Sequence, residues 1–221
     1  MNYTWRFDVA LESLPQMLQG LGLTCLLTVL AMTFGLVVGM IVALMRFSKL
    51  KIVWLPAYAF TEVFRTTPLL VQVIWVFTVL PLTVGITLSP FFSGLVALGL
   101  NVAAFMSEVY RAGITSVASG QSHAALALGM TRLQSLRRIV LPQAILKMVP
   151  PMASMWVALF KDTSILAAIG VAEMMTQARV LAAETYRPME IYTLVAVIYF
   201  LVAYPQSLGV NWLFNRFRVK E

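Results

Sequence analysis

Between Thr66 and Ser107 the chain runs for 42 residues without one Asp, Glu, Lys or Arg. A bilayer core about 30 Å thick takes roughly 20 apolar helical residues per crossing, so this stretch is too long for one crossing and short for two. Pro81 and Pro90 punctuate it. Apolar residues make up 60% of the whole chain and charged residues 11%, whereas a water-soluble domain carries roughly a quarter charged residues to cover its surface. The solvent implied is lipid. One histidine and one cysteine, His123 and Cys25, leave neither a metal cluster nor an internal disulfide, and no Gly-Lys pair is present to build a phosphate loop. Nothing in the sequence supports ATP hydrolysis by this chain.

The charge-poor stretches predict an all-α membrane protein, one transmembrane domain over residues 1–221 with five spans. Their bounds fall at about 20–44, 54–80, 91–109, 148–172 and 191–214. The first is too long, and its start too poor in basic residues, for a cleaved secretory signal. Ser13 and Gln16 have capping-box spacing, which predicts a short interfacial helix through Leu14 and Leu18 leading into it. Basic residues set the orientation, because short cytoplasmic loops hold an excess of Lys and Arg. One side collects Arg46, Lys49, Lys51, Arg111, Arg132, Arg137, Arg138, Lys147, Arg216, Arg218 and Lys220; the other has only Arg6, Arg179 and Arg187. The N-terminus is therefore expected outside and the C-terminus inside. The net charge of +7 is mostly this asymmetry, not a nucleic-acid footprint.

Residues 111–147, between the third and fourth spans, are too polar to cross lipid and too apolar for a free loop. The spacing predicts two helices meeting at a corner. Ser122 is a candidate N-cap for the first, and Gly129 supplies a left-handed residue to close it. Thr131 and Gln134 form a capping-box pair that opens the second, with Leu133, Leu136 and Val140 on one face and Pro142 as its end. An apolar Ala-Ala-Leu-Ala-Leu helix in water must be covered. Either a groove in a partner protein takes it, or it packs on the ends of its own spans.

Residues Gly120 to Pro142 resemble the EAA loop in the permease subunits of ATP-binding-cassette (ABC) importers: Glu-Ala-Ala, three residues, Gly, nine residues, Ile, one residue, Leu-Pro. Ala124, Ala125, Gly129, Ile139, Leu141 and Pro142 stand at the matching offsets, and His123 takes the place of the Glu. Further blocks are similar to the polar-amino-acid branch. They are Phe64-Arg-Thr-Thr-Pro-Leu-Leu-Val-Gln72, Ser107-Glu-Val-Tyr-Arg-Ala-Gly-Ile114 and Lys161-Asp-Thr-Ser164. The resemblance implies a channel-forming subunit of the bacterial inner membrane that has no ATPase activity and needs no cofactor. Its loop, through His123, Ala124, Ala125, Leu128, Gly129 and Arg132, would couple to a dimer of ATPase subunits that bind ATP and Mg. It also implies a second permease subunit, identical or sister, and a periplasmic or surface-anchored amino-acid-binding protein. The wording of the loop is most similar to glutamate/aspartate permeases, which implies an acidic substrate.

Ionisable residues inside a span cost at least a few kcal/mol each unless paired or wet, so they mark candidate sites. Glu62, Arg65, Glu108, Lys161 and Asp162 qualify. Glu62 and Arg65 have the spacing of a pair on one helix face. Arg65 precedes Thr66, Thr67 and Pro68, and the proline predicts a kink beside the charge, a place for a gate. Asp162, Thr163 and Ser164 are all N-cap residues, which predicts a break where a new half-helix starts and offers free N–H groups to a carboxylate. The rival expectation is structural pairing of Asp162 with Arg65 or of Lys161 with Glu108. A different class of function, an ion- or proton-coupled carrier titrating Glu62, Glu108 and Asp162, would need no ATPase but leaves the helix pair without purpose.

Overall fold

Hydrocarbon offers no water to backbone N–H and C=O groups, so a chain this apolar is driven into helices that satisfy their own. The computed structural model describes residues 3–217 and contains no strand among them. Arg218 and Lys220, counted above for orientation, lie outside the described residues. The order begins with α1 (Phe7–Glu12), α2 (Leu14–Arg46) and α3 (Lys51–Thr66). Next, α4 (Leu69–Ile74) passes through a π turn (Trp75–Val79) into α5 (Leu80–Val84), and α6 (Pro90–Thr115) follows. Then come α7 (Ser119–Ala127) and α8 (Arg132–Ser135), which a second π turn (Leu136–Val140) joins to α9 (Leu141–Asp162). The end of α9 tightens into a 3₁₀ segment (Thr163–Ile169), and α10 (Met174–Thr185) and α11 (Pro188–Phe217) complete the fold.

Four stretches are long and apolar enough to cross a membrane: α2, α6, the continuous run Arg132–Ile169, and Pro188–Arg216. A fifth forms only as a pair, α3 with Leu69–Val84, bent by 111°. The kink expected at Pro68 is thus a corner. Thr67 is extended there and Pro68 follows with ψ 135°, so the chain leaves the helical region for two residues.

Two apolar cores organise the bundle. The larger joins α2, α4, α6 and α9 through Leu27, Val73, Leu98, Val102, Met106, Met148 and Leu159. Its tightest seam is Gly35-Leu-Val-Val-Gly39 of α2 against α6, where a Cβ on Gly39 would stand 2.7 Å from the Ala103 carbonyl oxygen. The smaller core joins α1, the start of α2, α10 and α11 through Ala10, Met17, Met174, Leu181 and Ile191. The methionine-bearing face of α10 is core. Away from the seam, α2 exposes Val37, Ile41 and Leu44, an apolar outer face suited to lipid.

Two local expectations need correction. Ser13 is helical and its hydroxyl donates back to the Val9 carbonyl at 2.9 Å, so no Ser13–Gln16 box forms. The short helix is α1, one turn earlier, and Leu14 to Leu18 already belong to α2. Pro142 does not end a helix. The π turn before it hands the Leu141 N–H to the Leu136 carbonyl, a shift of frame that lets the helix pass a residue with no donor. The same device precedes Pro81, where Leu80 N–H reaches the Trp75 carbonyl.

Candidate functional site

At one end of the bundle α7 and α8 form the expected helix pair. Gly129 has φ +81°, and its N–H donates to the Leu126 carbonyl while Met130 N–H donates to that of Ala125, the two bonds of a Schellman closure. A Cβ at Gly129 would meet nothing within 4 Å, so the glycine is required by backbone conformation and not by space. The Thr131–Gln134 capping box is present: Thr131 N–H donates to Gln134 Oε1 at 2.8 Å, and Gln134 N–H to Thr131 Oγ1 at 3.2 Å.

Ser122 is not the N-cap, because α7 starts at Ser119; its hydroxyl instead lies 3.2 Å from that of Ser135 and ties the two helices. Ala125 is buried within the chain, whereas Ala124 is exposed and Leu128 is 81% exposed. His123 and Arg132 line a cleft of about 500 Å³ between the pair and the end of α6, with Ile114, Val117 and Leu126. The predicted common face divides, since Val140 is buried while Leu133 and Leu136 are exposed.

Where α6 approaches the helix pair, Glu108 gathers cations from three helices. Arg46 of α2 donates to its Oε2 at 2.6 Å, Arg111 of α6 binds it through Nη2 and through Nε at 3.2 Å, and Arg65 of α3 lies 3.9 Å away. The Arg46 side chain is only 7% exposed, and its Nε has no partner. The expected Glu62–Arg65 pair is therefore not made. Arg65 turns to Glu108 and to the face of Phe105, and Glu62 has no ion-pair partner among the described residues.

At the corner itself, Thr67 is exposed and its hydroxyl donates to the Val63 carbonyl at 2.7 Å. Beside it two amides meet: Gln72 and Asn101 both donate to the Phe64 carbonyl, at 2.8 and 3.0 Å.

Residues 161–164 are not a helix start. Asp162 is helical and caps nothing, Thr163 donates to the Phe160 carbonyl at 2.8 Å and Ser164 to that of Lys161 at 2.7 Å. The helix tightens to 3₁₀ geometry instead of breaking, so no row of free N–H groups opens, and the half-helix expectation is overturned. Nor does either rival pairing form, for among the described residues Lys161 and Asp162 make no ion pair. Lys161 is exposed, Asp162 and Ser164 are half-buried and Thr163 is buried.

At the opposite end Glu173 is fully buried, caps α10 by accepting from the Met175 and Thr176 N–H groups at 2.9 and 2.7 Å, and accepts from Tyr199 at 3.3 Å. Burial pushes its carboxyl above the usual carboxylate range, against the pull of these donors. Glu190, also buried, accepts from Tyr3 and, at 3.0 Å, from the Arg6 N–H.

Gln72, Asn101, Arg46, Glu173 and Glu190 escaped the sequence reading as site residues. One signal was there: Gln72 and Asn101 are the only side-chain amides in the charge-free run from Thr66 to Ser107.

Comparisons with known proteins agree with this architecture. The sequence pattern of the family described as "Binding-protein-dependent transport system inner membrane component" matches residues 35–219. The chain is 31% identical to the glutamine transport system permease protein GlnP of Escherichia coli (strain K12), over 99% of this chain and all of that one. It is 36% identical to the glutamate/aspartate import permease protein GltK of Escherichia coli O6:H1, over 97% and 99%. A crystal structure of an amino acid ABC transporter with histidines superposes with a TM-score of 0.92 at 35% identity, covering 97% of this chain and 100% of that one. The chain belongs to the binding-protein-dependent inner membrane components, as a permease subunit of the amino-acid ABC importers.

Proposed function

We propose that this permease component crosses the bacterial cytoplasmic membrane five times, N-terminus outside, and carries acidic amino acids inward. In this reading α3 and Leu69–Val84 together make the broken second span, and the end bearing α7, α8 and most of the Lys and Arg residues is cytoplasmic. The observation that carries the coupling role is α7 and its corner. An isolated nine-residue helix is marginal in water, yet this one is closed at Gly129 and braced by the Thr131–Gln134 box while presenting Leu128 almost wholly to solvent. Such an apolar knob on a braced helix suits the groove of an ATPase subunit. ATP and Mg bind there, not in this chain. ATP-driven closure of two ATPase subunits draws the helix pairs of two permease subunits together and turns the path between them outward, where a binding protein delivers the amino acid. Leu128→Asp tests this: the folded variant is expected to lose ATPase capture in mild detergent, and capture at the wild-type level overturns the docking role.

The acidic preference rests on charge. Three guanidiniums, those of Arg46, Arg65 and Arg111, face the single carboxylate of Glu108, and with Lys161 set against Glu62 and Asp162 this group of residues still carries one positive charge more than negative. A substrate with a second carboxylate complements that excess. Relatives named for glutamine transport, glutamate/aspartate import, arginine transport and L-cystine transport leave the choice open among these. Competition for labelled glutamate uptake in proteoliposomes decides it: aspartate is expected to compete and arginine and histidine not, and equal competition by arginine refutes the acidic preference.

A further inference from the structure

Pro68 has no N–H, so the carbonyl four residues back, that of Phe64, loses the donor an uninterrupted helix would give it. An orphaned acceptor in an apolar setting is costly, and this one is not left empty. Gln72 Nε2, from the first turn beyond the corner, donates to it at 2.8 Å, and Asn101 Nδ2, from α6, at 3.0 Å. The amides are also joined to each other, Asn101 Nδ2 to Gln72 Oε1 at 3.2 Å. Gln72 Nε2 reaches the Thr67 carbonyl at 3.0 Å and the Thr67 hydroxyl at 2.8 Å as well. One knot of polar groups thus binds the end of α3, the start of α4 and the middle of α6.

Apolar packing does not hold this corner on its own. Beside it lies a cavity of about 420 Å³ lined by Val63, Phe64, Val71, Trp75, Val96 and Leu100. Val63, Val71 and Trp75 are exposed along it, so packing on that side is open, and directional hydrogen bonds add the constraint on angle that it lacks.

We propose that Gln72 and Asn101 are positioning residues for transport: an amide latch that sets the 111° corner and thereby the placement of Glu62, Arg65 and Thr67. The proposal rests on the importer reading for its link to uptake, and on the geometry alone for the latch. A plainer role, satisfying one orphaned carbonyl, makes a different prediction when the N–H is restored at position 68. Pro68→Ala lets α3 continue, so that the Phe64 carbonyl is satisfied within a straight helix while the corner is lost.

The test uses the assembled transporter in nanodiscs with Cys25→Ala and spin labels at Ile52 and Leu82, both highly exposed on α3 and α5. Asn101→Leu is expected to broaden the interspin distance, lower the melting temperature and reduce ATP-driven uptake about tenfold, the effect of losing roughly one buried hydrogen bond. Pro68→Ala/Asn101→Leu should regain the melting temperature, show a longer interspin distance and still fail to transport. If uptake returns together with stability in the double variant, or if Asn101→Leu leaves both distance and uptake unchanged, the latch is wrong. Asn101→Ser, which keeps a shorter donor, carries the same comparison if the Leu variant does not assemble. Absence of ATP-driven uptake in the wild type refutes the importer reading instead, and the interspin distances then still decide the latch.

Discussion

Replacing Gly39 by Ala tests the seam between α2 and α6, and Gly22 in the same helix supplies the matched control. At Gly22 an added Cβ meets nothing within 4 Å, so the variant gains only the helix preference of Ala over Gly, about 0.5–1 kcal/mol. At Gly39 the Cβ would lie 2.7 Å from both the Ala103 carbonyl oxygen and the Met106 Cβ, and 3.2 Å from the Ser107 nitrogen. Two of these three atoms are backbone and the third is a Cβ fixed to it, so no rotamer change relieves the clash. Restoring the 3.4 Å of ordinary contact moves the helices apart by about 0.7 Å. A gap of that size forfeits a quarter to a half of each dispersion contact along the seam. Overpacking of this kind costs about 1–3 kcal/mol, more than the helix preference returns, so Gly39→Ala is expected to be destabilised by about 1–2 kcal/mol and Gly22→Ala slightly stabilised. Reversible unfolding in mixed micelles of dodecylmaltoside and SDS measures both. Equal stability of the two variants would refute the close-approach argument, because helix propensity alone predicts the same sign for each.

Two other perturbations probe charge. Glu108→Gln leaves the nearly buried Arg46 without its counter-charge and is expected to cost about 2–4 kcal/mol, most of it recovered when Arg46→Met is added; an unfolding curve within about 0.5 kcal/mol of wild type would contradict this. Glu173 supplies a pH dependence. Its carboxyl is raised in the folded chain, so the fold holds that proton to higher pH than the unfolded chain does, and the associated stability is complete below the ordinary carboxylate range and lost as pH rises through the raised value. Glu173→Gln cannot titrate, and its one amide oxygen keeps an acceptor for either the Met175 or the Thr176 N–H, which donate to different carboxylate oxygens in the wild type. The stability of wild type relative to this variant should therefore fall as pH rises above the ordinary carboxylate range, and a rise there would show that the N–H donors outweigh burial.

What could be read ahead of the structure was the chemistry that closes within a few residues. The left-handed Gly129 and the reciprocal Thr131–Gln134 bonds depend on partners three to five positions away, and they formed as expected. Side chains with a choice of distant partners were not legible. Arg65 had Glu62 one turn away on its own helix, yet its guanidinium lies across on α6, over the Phe105 ring and 3.9 Å from Glu108, a carboxylate that already carries Arg46 and Arg111. Pro142 misled for a different reason. A proline ends a helix only if the hydrogen-bond frame is fixed, and the π turn at Leu136–Val140 shifts that frame. Asp162, Thr163 and Ser164 look like caps in any sequence, but the two hydroxyls bond backward to Phe160 and Lys161, which continues a helix instead of starting one.

These departures bear on how a push at the helix pair would travel. Had Pro142 ended a helix and Asp162 begun another, α9 would be a short piece hinged at both ends. Instead the stretch Arg132–Ile169 is one helical run of 38 residues, so Arg132 and Lys161 stand about 43 Å apart along a single rod. A second anchor joins this rod to the other side of the pair, since Lys147 donates to the Ser116 carbonyl at 2.9 Å, where α6 ends and its dipole favours a cation. From that end of α6 the Glu108 cluster reaches α2 and α3 within a single carboxylate, and Asn101 reaches the corner two turns further along the same helix. Displacing α7 and α8 therefore cannot move α9 alone. It loads α6 as well, and through Glu108 and Asn101 it bears on both sides of the bent span.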